Sequence, residues 1–289
     1  MSEPNYWKIP LEKLPSRGAK YPKGAKIEFR CLTVRDLKYM AAMNDDNASE
    51  MVDEVLRRCL RLSDLRFEDI LRMDRLTLVF YLRSNTFQLS NSYQTEFDCP
   101  YCSHRVIQQL QMSDLKVKPI TQSKLGSAVV RDKTIHGVYK RMSDPWIRAE
   151  DRDAETILNW TDFDKKFTIA SGDLEGEILR LPADEFSKLL HVAEDARCGV
   201  MGFADLKCTG CFEQLRVGID LSDGALFNRV KTTTLIRNAV QVSKFCGLTI
   251  SDDMPYNEVE LTIAVVNDLA EKEAESLKNS RGKRPGGLR

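Results

Sequence analysis

Residues 97–106 read FDCPYCSHRV, two cysteines three positions apart around a Pro-Tyr turn. A second stretch, LKCTGCFEQLRV at 206–217, repeats the arrangement about a hundred positions later. With Cys99 laid on Cys208, Phe97 falls on Leu206, Val106 on Leu215, Leu110 on Ile219 and Met112 on Leu221. After each pair of cysteines the apolar residues keep largely to alternate positions, most cleanly along Leu215, Val217, Ile219 and Leu221. Alternation of this kind marks a half-buried strand. Each unit therefore reads as strand, tight turn, strand.

Two such hairpins suit a zinc ribbon. Zinc takes four tetrahedral ligands, thiolate sulfur binds it well, and a CxxC turn offers two sulfurs to one ion. The expected ligands are Cys99, Cys102, Cys208 and Cys211, holding one structural Zn2+ per chain. Pro100 fixes φ at the start of one turn. Gly210 suits a positive φ in the other. Two other readings stay open. A redox CxxC normally sits where a helix begins at the first cysteine of a βαβ unit, and here a strand follows. Four reduced thiols without metal is the other. His104 is a conceivable substitute ligand, although a histidine one step past such a turn is more often simply exposed. Cys31, Cys59, Cys198 and Cys246 stand among apolar residues and read as small core residues.

The chain has 289 residues, formal net charge zero, 42% hydrophobic and 30% charged residues. That is ordinary for a globular protein and argues against a generally basic nucleic-acid binder. No apolar run approaches the ~18 residues of a membrane span, and MSEPNYWKIP has no apolar signal core, so a cytoplasmic protein with reduced thiols is expected. Motifs of nucleotide binding, zinc proteolysis and serine hydrolysis are absent from the sequence. No catalytic residue, cofactor-binding motif or small-molecule substrate is expected. Of the three histidines, His191 precedes Glu194 and Asp195 on a helical pattern. Its position beside Leu189 and Leu190 favours partial burial over metal binding. Asp45-Asp46 and Asp252-Asp253 fall near helix starts, where the helix dipole accounts for them. Trp7, Trp146 and Trp160 are dispersed.

The expected fold class is α+β, mostly helical with a small antiparallel zinc ribbon. Residues 1–32 form an extended, Pro- and Gly-punctuated arm and a strand, and 33–90 a helical region. Thr33 caps its first helix, and Met51, Val55, Leu56, Cys59 and Leu60 share one face of the next. Residues 91–118 and 203–223 are the halves of the ribbon, around a mixed α/β insertion at 119–202. Residues 224–280 are a C-terminal helical region, and 281–289 a flexible basic tail.

Three stretches carry a resemblance: LPSRGAKYPKGAKIEFRCLTVRDLKYM (14–40), DRLTLVFYLRSNTF (74–87) leading to FDCPYC, and GLTISDDMPYNEVELTIAVVNDLAEKEAE (247–275). Together they resemble the T4-type bacteriophage baseplate proteins, particularly the hub subunit and hub-assembly group of contractile-tailed phages. The resemblance implies a non-enzymatic virion or assembly protein that binds other baseplate and hub proteins. It would act in the host cytoplasm during assembly and in the virion tail baseplate. An arm over residues 9–25 that orders on such a partner fits this role. The competing reading is a zinc-ribbon nucleic-acid-binding or regulatory protein. It would need a basic stripe, but Asp98, Asp114, Glu213, Asp220 and Asp223 offset Arg105, Lys116, Lys118, Lys207 and Arg216.

Overall fold

The structure is a computed structural model that describes residues 5–87, 93–110, 112–120, 125–167, 172–227, 244, 247 and 249–282. It is α+β, with helices and several small antiparallel sheets. The chain forms two compact units. One comprises Met1–Phe29, Leu60–Phe80 and Gln94–Ile219, the other Arg30–Cys59, Tyr81–Tyr93 and Asp220–Arg289.

The first unit begins with a three-stranded sheet of β1 (Trp7–Ile9), β2 (Lys26–Phe29) and β3 (Leu60–Ser63). Ile9 lies opposite Ile27, and Phe29 opposite Leu60. The β3 strand corrects the sequence reading, in which Leu60 closed a helix. Pairing with β2 outweighs the local helical pattern, a common outcome for short segments. The stretch between β1 and β2, expected as an extended arm, turns back on its own unit: Leu14 and Ser16 are fully buried. Asp74, near the start of α3 (Arg72–Thr86), accepts bonds from the Ser16 N–H at 2.8 Å and the Ser16 Oγ at 2.5 Å. The Tyr21 hydroxyl donates to it at 2.5 Å and accepts from the Leu71 N–H at 3.1 Å. Burial raises both the Asp74 carboxyl and the Tyr21 phenol above their ordinary values.

Two hairpins carry the CxxC turns. In one, β4 (Tyr93–Asp98) pairs with β5 (Arg105–Leu110). The middle segment then adds β6 (Val117–Lys118), the hairpin β7 (Ser127–Val130) and β8 (Lys133–His136), and helices α4 (Arg152–Trp160), α5 (Phe163–Lys166), α6 (Leu174–Leu179) and α7 (Ala183–Ala196). Val130 and Ile135 of the hairpin pack with Ile157, Phe163, Leu189 and Ala193 in one core. After α7 the chain pairs β9 (Gly199–Val200) with β6. Gly199 has φ +120, and a Cβ there would stand 3.3 Å from the Met73 carbonyl oxygen. The second hairpin follows, β10 (Phe203–Lys207) with β11 (Gln214–Gly218), Leu206 opposite Leu215.

In the second unit, α1 (Val34–Met40) starts at a capping box: Thr33 Oγ1 accepts from the Asp36 N–H, and Asp36 accepts from the Thr33 N–H. Thr33 thus caps as its sequence position predicts. Arg30 pairs with Asp36 at 2.7 Å. The next helix, α2 (Ala48–Cys59), buries Met51, Val52, Val55, Leu56 and Cys59. After α8 (Asp223–Phe227), α9 (Tyr256–Gly282) follows the Met-Pro-Tyr turn. The Val34 N–H donates to Met254 O, and the Tyr256 N–H to Leu32 O. Asp252 and Asp253 pair with Lys38 and Arg35. They thus tie this turn to α1 by ion pairs as well as standing near a helix start. Of the helix expected over 225–245, the first residues fall in α8, and residues 228–243 and 245, like most of the basic tail, lie outside the described residues.

Candidate metal centre

The two hairpins repeat each other residue for residue. In the first turn the Cys99 N–H donates to His104 O and the Ser103 N–H to Cys99 O, at 3.0 and 2.8 Å. In the second the Cys208 N–H donates to Glu213 O and the Phe212 N–H to Cys208 O, at 2.9 and 3.0 Å. The residue after the second cysteine is left-handed in both, Ser103 at φ 55 and Phe212 at φ 65. Val106 and Leu110 are buried in one hairpin, Leu215 and Ile219 in the other. Cys99, Val106, Cys208 and Leu215 form a shared core, with Phe97, Cys211 and Val217 packed against it.

Gly210 therefore has a different role from the one its sequence suggests. The positive φ falls on Phe212, and Gly210 lies outside the left-handed region. Its missing side chain is needed because a Cβ would stand 2.9 Å from the His104 Cβ of the other turn. His104 is thus a packing neighbour of the opposite turn.

The sulfurs of Cys99, Cys102, Cys208 and Cys211 lie within 4.8 Å of one another. Cys99 approaches Cys211 at 3.6 Å and Cys102 approaches Cys208 at 3.7 Å, both across the two hairpins. These separations far exceed a disulfide bond of about 2.05 Å. They match the edge of a tetrahedron around an ion with metal–sulfur distances of about 2.3 Å, which is ~3.8 Å. Cys99 and Cys208 are buried, Cys211 is half-buried and Cys102 is exposed.

The thiols differ in acidity. The N–H groups of Cys211 and Gly210 draw the Cys208 thiol down to about 6, the latter at 3.3 Å. Those of His104 and Glu213 favour thiolate at Cys102 and Cys211, but burial and the neighbouring sulfurs outweigh them; Cys211 is raised to about 12. Four touching thiols cannot all ionise by themselves, whereas a bound divalent cation deprotonates its thiol ligands. The donor set can therefore hold a soft or borderline metal ion.

The other cysteines behave as core residues. Cys31, Cys59 and Cys198 are buried, and burial lifts the thiols of Cys31 and Cys198 to about 11 and 12 and that of Cys59 further. Cys246 lies outside the described residues. His191, expected to be partly buried, has a side chain 79% exposed and faces Asp195 at 3.6 Å. The helical turn points it away from the face that buries Leu189, Val192 and Ala193. Around the cysteines, Arg105 pairs with Glu96, while Lys116 and Arg216 share Asp205. Lys207 lies over the Phe212 ring. These carboxylates break up the basic stripe that phosphate binding needs. The Ser16–Tyr21–Asp74 network is not legible in the sequence, although the LPSRGAKYP segment that supplies two of its members is distinctive. Nothing local marks Asp74, 58 positions from Ser16, as the acceptor.

No curated protein and no solved structure matches the chain. The family model for the T4 bacteriophage base plate protein matches residues 7–168, a span holding the first CxxC turn and the Asp74 network. With more than half of its length matched, the chain belongs to the T4 bacteriophage base plate protein family.

Proposed function

We propose that this chain is a non-enzymatic structural or assembly component of a phage tail baseplate, within its hub, and that Cys99, Cys102, Cys208 and Cys211 hold one structural Zn2+ between the two hairpins. The observation that carries the metal reading is the fourfold sulfur cluster, with its tetrahedral spacing, between two hairpins of matching geometry. Four thiolates close the coordination shell, so the ion has no open position for water or substrate and acts in folding. Membership of the base plate family supports a role among other tail proteins. Among the described residues no helix is long and apolar enough to cross a membrane. The partners proposed are baseplate and hub proteins met in the host cytoplasm during assembly, the product being the virion baseplate.

The test is a phage carrying Cys208→Ser and Cys211→Ser in this chain. Lysates should contain incomplete baseplates and almost no infectious particles, with assembly restored by the wild-type chain supplied in trans. Normal yields of complete tails would contradict the proposal.

A further inference from the structure

In the first unit, well outside the cysteine cluster, a cavity of about 190 Å³ opens between the start of α3, the strap after β8, the end of α4 and β9. Its charged lining residues are both cations, Arg72 and Lys140, and no carboxylate lines it. The Lys140 side chain is only 5% exposed. Its ammonium carries three donors, yet its nearest acceptors are Pro145 O at 3.4 Å and Asp164 at 3.8 Å. The charges acting on it are those of Asp164 and Asp144 against Lys165 and Arg72. A buried ammonium held this loosely favours a closer anion.

The other polar lining groups are already engaged. Arg72 donates to the Asp144 and Met142 carbonyls and stands 6.0 Å from the centre of the Trp146 ring, which fixes its cation at the cavity. The Asn159 amide is bonded on both sides to Ile147 and also to Glu155. The other side chains that line it are mostly apolar, Trp146 and Trp160 among them. The volume is below the roughly 300–1,000 Å³ of drug-sized sites, so it suits something the size of one side chain and excludes a nucleotide.

We propose that this cavity binds a single carboxylate carried on an apolar or aromatic stem, with Lys140 and Arg72 facing the carboxylate and the two tryptophans facing the stem. A free acid and the C-terminal residue of another protein share this chemistry. The probes are 4-phenylbutyrate for the first source and N-acetyl-Leu-Phe for the second. Their uncharged controls are 4-phenylbutanol and N-acetyl-Leu-Phe amide. Binding to the full chain is read from tryptophan fluorescence and by calorimetry. At least one acid should bind about tenfold or more tightly than its control, a difference typical of hydrogen bonds to a charged group. Lys140→Met should bring acid and control together while the protein stays folded. If only the peptide acid binds, the site is assigned to a chain end; if phenylbutyrate binds too, to free acids as well. Absence of binding, equal affinity of acid and control in the wild-type chain, or an acid preference that survives Lys140→Met would overturn the proposal. The wild-type comparison decides the matter even if Lys140→Met fails to fold.

Discussion

At Gly210 one absent methyl group sets how closely the two CxxC turns approach. Gly210→Ala puts a Cβ 2.9 Å from that of His104, and overpacking of this kind costs about 1–3 kcal/mol. His104→Gly in the same chain should recover most of that loss, as read by urea unfolding of the two single variants and the double variant. If Gly210→Ala is neutral, the turns are not held as closely as described. Asp36 makes a second residue-scale prediction, on acid stability. Burial pushes its carboxyl up, but hydrogen bonds from Arg30 and Thr33 outweigh burial and hold it below the ordinary value of 3.8. A carboxylate whose folded value is depressed contributes stability in full above its unfolded value, and that contribution is lost as pH falls through the folded one. Unfolding free energies measured at about pH 6, 4 and 3 should fall more steeply for the wild-type chain than for Asp36→Asn across the acid range. Parallel curves would remove Asp36 from the account.

Among the elements, the segment between β1 and β2 depends on a single acceptor. Asp74→Ala leaves the Ser16 N–H, the Ser16 Oγ and the Tyr21 hydroxyl without their shared partner. Buried groups orphaned in this way cost about 1–3 kcal/mol each, so a loss of at least about 3 kcal/mol is expected, with faster amide exchange over residues 14–21. Exchange unchanged in that segment would contradict the latch. Some elements are legible in sequence and others are not, for a physical reason. The CxxC hairpins could be read because spacing and alternation are local, and the register of Val106 with Leu215 follows from counting. The Thr33 cap and the buried face of α2 could be read for the same reason. By contrast β1, β3, β6 and β9 are two to four residues long. Each is defined by a distant partner strand, so its own sequence carries almost no signal. Lys140 and Asp74 escaped for the same reason, since burial of a charged group depends on what packs around it.

On the scale of the molecule, the cysteine cluster lies wholly within the first unit. There it joins two hairpins that share, among the described residues, the small buried cluster of Cys99, Val106, Cys208 and Leu215. A core that small holds little stability of its own. A structural zinc contributes about 10–16 kcal/mol to folding in small zinc-binding peptides, and a part of that gain would be enough to fix the hairpins together. The chain belongs to a family of base plate proteins, and the proposed metal, by setting the shape of one unit, would suit the proposed role of fitting against other tail proteins. The most direct test is the metal content of protein purified without added metal, measured together with the number of thiols protected from a thiol reagent. About one zinc per chain is expected, with four thiols, besides the buried Cys31, Cys59 and Cys198, that stay protected until a chelator removes the ion, and with Cys208→Ser losing both the metal and amide protection across β4, β5, β10 and β11. A chain that carries no zinc yet keeps those hairpins protected, or a Cys208→Ser variant that retains its metal, would contradict the account.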